Sequence, residues 1–157
     1  MPSHIIATAT NKDLKCIDKR FEQAKSLNAN ILANPTLPAI ERYDGVMYRA
    51  IGANSFDKRA AKFFDEHVLI LSGLFGLVKA SDQIPNYKLP IEAHGLVTFW
   101  KEKITRELAA MEDVIFIDLL PLSYRKMIDW HVIPHYLTVE FVDVANDRIG
   151  HGVKGIK

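Results

Sequence analysis

Val68-Leu69-Ile70-Leu71-Ser72-Gly73-Leu74-Phe75-Gly76 is the stretch on which the fold turns. Its first four residues are apolar without a break, and they run straight into a glycine-rich turn. So short a run reads as a strand buried on both faces, and the glycines permit close approach of backbone or ligand. Upstream, Phe56, Ala60, Phe63 and Phe64 recur at helical spacing, which predicts a helix over about residues 56–66 with Ser55 as its cap and those four side chains inward. Residues 46–51 follow the turn signal Asp44-Gly45 and read as a strand, while Pro38 opens a short helical turn through Ile40, Arg42 and Tyr43. Further back, Leu14, Ile17, Phe21, Ala24 and Leu27 mark an amphipathic helix over residues 12–27, capped by Asn11.

Downstream, Asp82, Pro85, Asn86 and Pro90 make residues 79–90 a long ordered loop without regular structure. Val97, Trp100, Ile104, Leu108 and Met111 then line one side of a helix over about residues 96–111. Residues 114–117 form another apolar strand, residues 122–129 a short helix, and residues 138–142 alternate like a half-buried strand. Asn146-Asp147 is a turn signal into Arg148-Ile149. The expected fold is α/β or α+β: a single compact domain over residues 1–157, its mixed sheet flanked by helices.

The chain has 157 residues, a net charge of +1 and one cysteine. That length supports a hydrophobic core without disulfides or a structural metal. Residues 68–78, the longest uncharged stretch, fall well short of the ~20 apolar residues of a spanning helix, and the N-terminus shows no export signal, so no membrane partner and a reducing cytoplasm are expected. Near-neutral charge means that any nucleic-acid contact must come from local placement of cations.

Charge is uneven near the C-terminus. Residues 129–147 carry Asp129, Glu140, Asp143 and Asp147 without a lysine or arginine, whereas residues 148–157 carry Arg148, Lys154 and Lys157 without an acid. The basic end is interleaved with glycines, which suits either an anion site or a solvated terminus. Ser72-Gly73-Leu74-Phe75-Gly76 is neither a Walker loop nor a nucleophile elbow, and Ser72 has no identifiable His/Asp partner. His131 and His135 are spaced like two ligands on one helical face, but Pro134 precedes the second, and neither a metal nor another cofactor is expected. Helical spacing would set Lys12 and Arg20 one turn either side of Cys16, where cations favour a thiolate; without a resolving partner, an inert thiol is the preferred reading.

Several of these stretches together resemble the YaaA family of bacterial peroxide-stress proteins. The residues that carry the resemblance are residues 39–46 with Tyr48, residues 71–76, and Asp82-x-Ile84-Pro85-x-Tyr87-Lys88-Leu89. Phe99-Trp100, Tyr124-Arg125-Lys126 and His151-x-x-Lys154-x-x-Lys157 continue it in order. The resemblance implies a cytoplasmic protein that limits peroxide damage by lowering unincorporated iron and binds DNA through a basic cleft including a helix-hairpin-helix-like element. It implies no settled enzymatic reaction. Relative to the family pattern, an initial strand and helical segment are missing, and Lys157 stands where the closing Lys-x-x-Arg-Gly motif has arginine.

Two functions compete. In the first, Arg42, Lys79, Lys88, Arg125, Lys126, Lys154 and Lys157 neutralise the phosphates of duplex or distorted DNA without reading sequence, and Tyr48, Tyr87 or Tyr124 stacks on unpaired bases. In the second, the chain is an enzyme acting on a nucleotide or small phosphorylated ligand, with Ser72 and Gly73 at the turn, Asp82 as acid/base and Lys88 as anion clamp. Under either, the stretch from Ser72 to Lys88 is expected to fold back into one wall of the site, with Lys154 the next residue beside it.

Overall fold

The computed structural model describes residues 1–139, 141–143 and 148–150. The chain divides into two compact units, residues 1–96 and 97–157.

In the first unit, α1 (Ser3–Thr8) is followed by α2 (Asn11–Leu14), whose start is set by Thr10. The Thr10 hydroxyl accepts the Asp13 N–H at 3.3 Å while the Asp13 carboxylate accepts the Thr10 N–H at 2.9 Å, a reciprocal capping box. Lys15 then enters the left-handed region at φ 51° and ends the helix. The continuous helix read over residues 12–27 is therefore two pieces, α2 and α3 (Asp18–Ala29), separated by extended Ile17. Leu14 is fully buried, but the break turns Ile17 out of the shared stripe and leaves it 66% exposed.

β1 (Thr36–Pro38) leads directly into α4 (Ala39–Arg42), opened by Pro38 as read from the sequence. Residues 46–51, expected as a strand, form α5 (Val46–Ile51). Gly52, at φ 61°, takes the left-handed C-terminal position and donates its N–H to the Tyr48 carbonyl, an ending that stops a helix and that period-2 reading of a short apolar run does not weigh. α6 (Lys58–His67) is capped by Asp57, whose carboxylate accepts the Ala60 N–H at 2.7 Å; Ser55 instead donates to the Gly52 carbonyl. Phe56 and Phe64 meet at 5.5 Å between ring centres, but Phe63 lies outside, stacked on His67.

β2 (Ile70–Ser72) is buried throughout and pairs antiparallel with β3 (Gly76–Val78), Leu71 opposite Leu77. Residues 79–90 are more regular than expected, since β4 (Gln83–Pro85) pairs antiparallel with β1, Leu37 opposite Ile84. The Ala39 N–H to Asp82 O bond, 2.8 Å, carries that pairing past the strand ends. Ala39, Ile70, Val78 and Ile84 join the two ladders in one buried cluster, against which Ile40, Tyr43, Tyr48, Phe75 and Tyr87 pack.

The second unit holds nearly all of α7 (Leu96–Ala109), which buries Trp100, Ile104 and Leu108 from the expected stripe. β5 (Phe116–Asp118) pairs parallel with β6 (Tyr136–Thr138), and α8 (Leu122–Arg125) lies in the connection. The single strand read over residues 138–142 is divided between β6 and β7 (Phe141–Asp143); β7 pairs antiparallel with β8 (Arg148–Gly150). Buried Asp118 accepts the Leu120 N–H at 2.9 Å through Oδ1, while Oδ2 lies 3.1 Å from Arg125 Nε in an ion pair without a hydrogen bond. The Arg125 guanidinium also covers the Trp130 ring at 5.1 Å.

The mixed helix and strand class is as expected. Among the described residues the strands form four two-stranded ladders, three antiparallel and one parallel, in place of one larger mixed sheet. Among the described residues no helix is long and apolar enough to cross a membrane.

Two stability tests follow from this packing. Bonds from the Thr10 hydroxyl, the His94 N–H and the Thr10 N–H hold the Asp13 carboxyl down to about 2, so its stabilising share is present above the unfolded carboxyl's pKa and is lost as pH falls toward that value. Asp13→Ala should cost about 1 kcal/mol at neutral pH by urea denaturation, discounted for an exposed cap, with the gap closing near pH 2; a gap independent of pH refutes the charged cap. Arg125→Ala, which strands a fully buried carboxylate, should cost about 3 kcal/mol. An unchanged urea midpoint would contradict that ion pair.

Candidate functional site

The apolar run that ends in β2 delivers Ser72 into the interior, where it is 1% exposed. Its Oγ accepts the N–H of Phe75 at 3.0 Å and of Leu74 at 3.3 Å, closing the turn between β2 and β3. A Cβ on Gly73 would stand 3.0 Å from the Leu89 carbonyl oxygen and 3.3 Å from Leu96 Cδ2, so glycine is what lets the turn seat against residues 89–96. On the same side the Tyr87 hydroxyl lies 3.0 Å from Ser72 Oγ and 3.0 Å from the Tyr43 hydroxyl. Tyr43 comes from the end of α4, tilted against Tyr48, and Phe75 meets Tyr87 edge to face. Burial, followed by the adjacent Tyr87, raises the Tyr43 phenol well above its ordinary value; the Ser72 hydroxyl opposes that shift.

Ser72 and Tyr87 thus meet directly, with Gly73 seated against Leu89 and Leu96. The Tyr87 hydroxyl is engaged with Ser72 and Tyr43, and its ring forms a T-shaped pair with Phe75. Tyr48 is half-buried in the same cluster. Asp82 accepts the Lys79 N–H at 2.8 Å and so closes a turn, while the Lys79 side chain is exposed. Lys88 has a fixed backbone and an exposed side chain: Asn28 accepts its N–H at 2.9 Å and donates to its carbonyl at 2.8 Å. Arg42 donates from Nε to the Ile84 carbonyl at 3.1 Å and from Nη2 to the Pro35 carbonyl at 2.9 Å, stapling the β1–β4 region. Its charge remains, and among the described residues no carboxylate pairs with it.

In the second unit Arg125 is held by Asp118 and Trp130, Tyr124 is half-buried and Lys126 is exposed. His131 sits in a 3₁₀ turn and His135 beyond its end, so the two do not share a helical face. In the first unit Cys16 falls in the break between α2 and α3, in a shallow depression also lined by Lys12, Lys15 and Arg20; Lys15 pairs with Glu92 at 2.9 Å. Lys154 and Lys157 lie outside the described residues. From the sequence Tyr43 reads as part of a helical turn and of the segment 39–46 that carries the resemblance, and Asn28 as the start of a break after a helix, neither as a site residue. A partial signal existed for Tyr43, which stands three residues after Ile40 on the inward side of that turn.

Residues 4–154 match the family described as peroxide stress protein YaaA. Among curated proteins, a "UPF0246 protein" of Finegoldia magna is 32% identical over 129 residues, 81% of this chain and 52% of the relative. A "UPF0246 protein" of Lactobacillus delbrueckii subsp. bulgaricus is 30% identical over 117 residues, 70% of this chain and 47% of the relative. The chain spans about half the length of these curated relatives. With the match running through both the glycine turn and the tyrosine-bearing segments, the chain belongs to the YaaA family of peroxide stress proteins.

Proposed function

We infer that the chain acts in the cytoplasm during peroxide stress by binding DNA without sequence preference through locally placed lysines, and that it contributes there to limiting unincorporated iron. The reading is supported above all by Lys88, whose backbone is pinned on both sides by Asn28 while its charged head stays in solvent. A fixed stem with a mobile ammonium suits a phosphate, which offers charge but little directional information. Lys79 in the same unit and Lys126 in the second unit share that exposure. Arg42 and Arg125 contribute charge from positions held by the fold, so their main contacts are with the protein itself. The enzyme reading has less support, since one Asp82 carboxylate oxygen is engaged in a local turn with the Lys79 N–H.

Lys88→Ala should weaken binding of duplex, bubbled and single-stranded oligonucleotides alike. The slope of log affinity against log salt should become shallower by about 0.9 on duplex. The urea midpoint should not move, because the lost atoms are exposed. Fluorescence-anisotropy titrations at two or more salt concentrations measure both quantities; wild-type affinity of Lys88→Ala and Lys126→Ala at low salt would overturn the reading.

A further inference from the structure

The parallel ladder of β5 and β6 is apolar on a face that lies in solvent. Ile117 stands opposite Leu137 in its register, so their side chains leave the same face, and both are largely exposed, at 63% and 61%. The ladder bonds run one step beyond the strand ends, from the Phe116 N–H to the His135 carbonyl and from the Val139 N–H to the Asp118 carbonyl. Alternation along these extended ends puts Ile115, Leu119 and Val139 on the face of Ile117 and Leu137, and all three are exposed as well. The opposite face is occupied. Asp118 is buried there beside Arg125, and Tyr136 packs on Trp130 at 4.8 Å between ring centres. Strands paired in parallel are ordinarily apolar because both of their faces are covered; this pair has that composition with one face bare.

We propose that this face is an interface between two copies of the chain. Its side chains are isoleucine, leucine and valine, without a charge or a hydrogen-bonding group, so a phosphate backbone or an ionic peptide finds nothing on it to hold. A two-fold axis matches the face with itself, and no complementary pattern is needed on a foreign surface. Area decides in the same direction. The exposed parts of Ile115, Ile117, Leu119, Leu137 and Val139 amount to about 500 Å², at the upper end for the largest apolar patch of a monomer. Two copies together withdraw about 1,000 Å² before any rim residue is added, the size from which a specific interface is stable, and an apolar centre is typical of homodimers. None of these residues belongs to the lysines on which the DNA reading rests, so the interface stands or falls without it.

Sedimentation velocity of the whole chain over a wide range of concentration tests the assignment. A monomer–dimer equilibrium is expected, with no larger species, because a two-fold interface closes on itself. Ile117→Lys sets an unpaired charge against its own image at the centre of the face and should raise the dimer dissociation constant at least about thirtyfold; Leu137→Lys should do the same. Leu32→Lys, at an exposed leucine in the first unit, is the control and should leave that constant unchanged. Because the replaced side chains are exposed in the single chain, the urea midpoints of both face variants should match the wild type at concentrations where all are monomeric. A monomer at every concentration, association that keeps growing past the dimer, or a dissociation constant unmoved in both face variants overturns the proposal. A lowered urea midpoint in the monomeric variants would overturn it too, by showing the face already covered within the chain.

Discussion

Two backbone N–H groups on one serine oxygen constrain the first unit more than any other contact in it. Ser72 is buried at the end of a strand, where an unpaired hydroxyl would cost about 1–3 kcal/mol. By accepting from Leu74 and Phe75 it closes the turn. The same hydroxyl meets that of Tyr87, which meets that of Tyr43, and both phenols pack against the cluster around Ile70 and Ile84. The bare Cα of Gly73 is the steric counterpart of the same constraint, since the Leu89 carbonyl occupies the space of a side chain.

Such contacts matter because the strands are short. Each ladder pairs three residues with three, and two-stranded ladders of that length are marginal alone. Side chains bonded to distant backbone supply part of what a broad sheet would. Arg42 joins the carbonyls of Pro35 and Ile84, Asn34 reaches those of Leu27 and Asn86, and Asn28 holds both backbone groups of Lys88.

This division explains what could be read from the sequence. The buried strand at residues 70–72, the helix opened by Pro38 and the stripe of Trp100, Ile104 and Leu108 were legible because burial writes itself as local periodicity. The break at Lys15 was not: Leu14 and Ile17 keep helical spacing although left-handed Lys15 sets their backbones apart. In the site, Ser72 and Tyr87 stood out beside a glycine turn and a proline bend. Tyr43 did not, since its partner lies 44 residues away and nothing near it distinguishes a bonded phenol from a packed one. Arg42 was legible as a charge but not as a staple, because carbonyl acceptors leave no mark on composition.

The reciprocal grip of Asn28 on Lys88 has a chemical lifetime as well as a geometry. An asparagine side chain hydrolyses slowly to aspartate, and an aspartate can still accept the Lys88 N–H but has nothing to donate to its carbonyl. Ageing at that one amide would release half of the grip and set a negative charge against the lysine's backbone. The exposed edge that carries Lys88 would then lose both its rigidity and its net attraction for anions through a reaction that alters no fold-forming apolar contact.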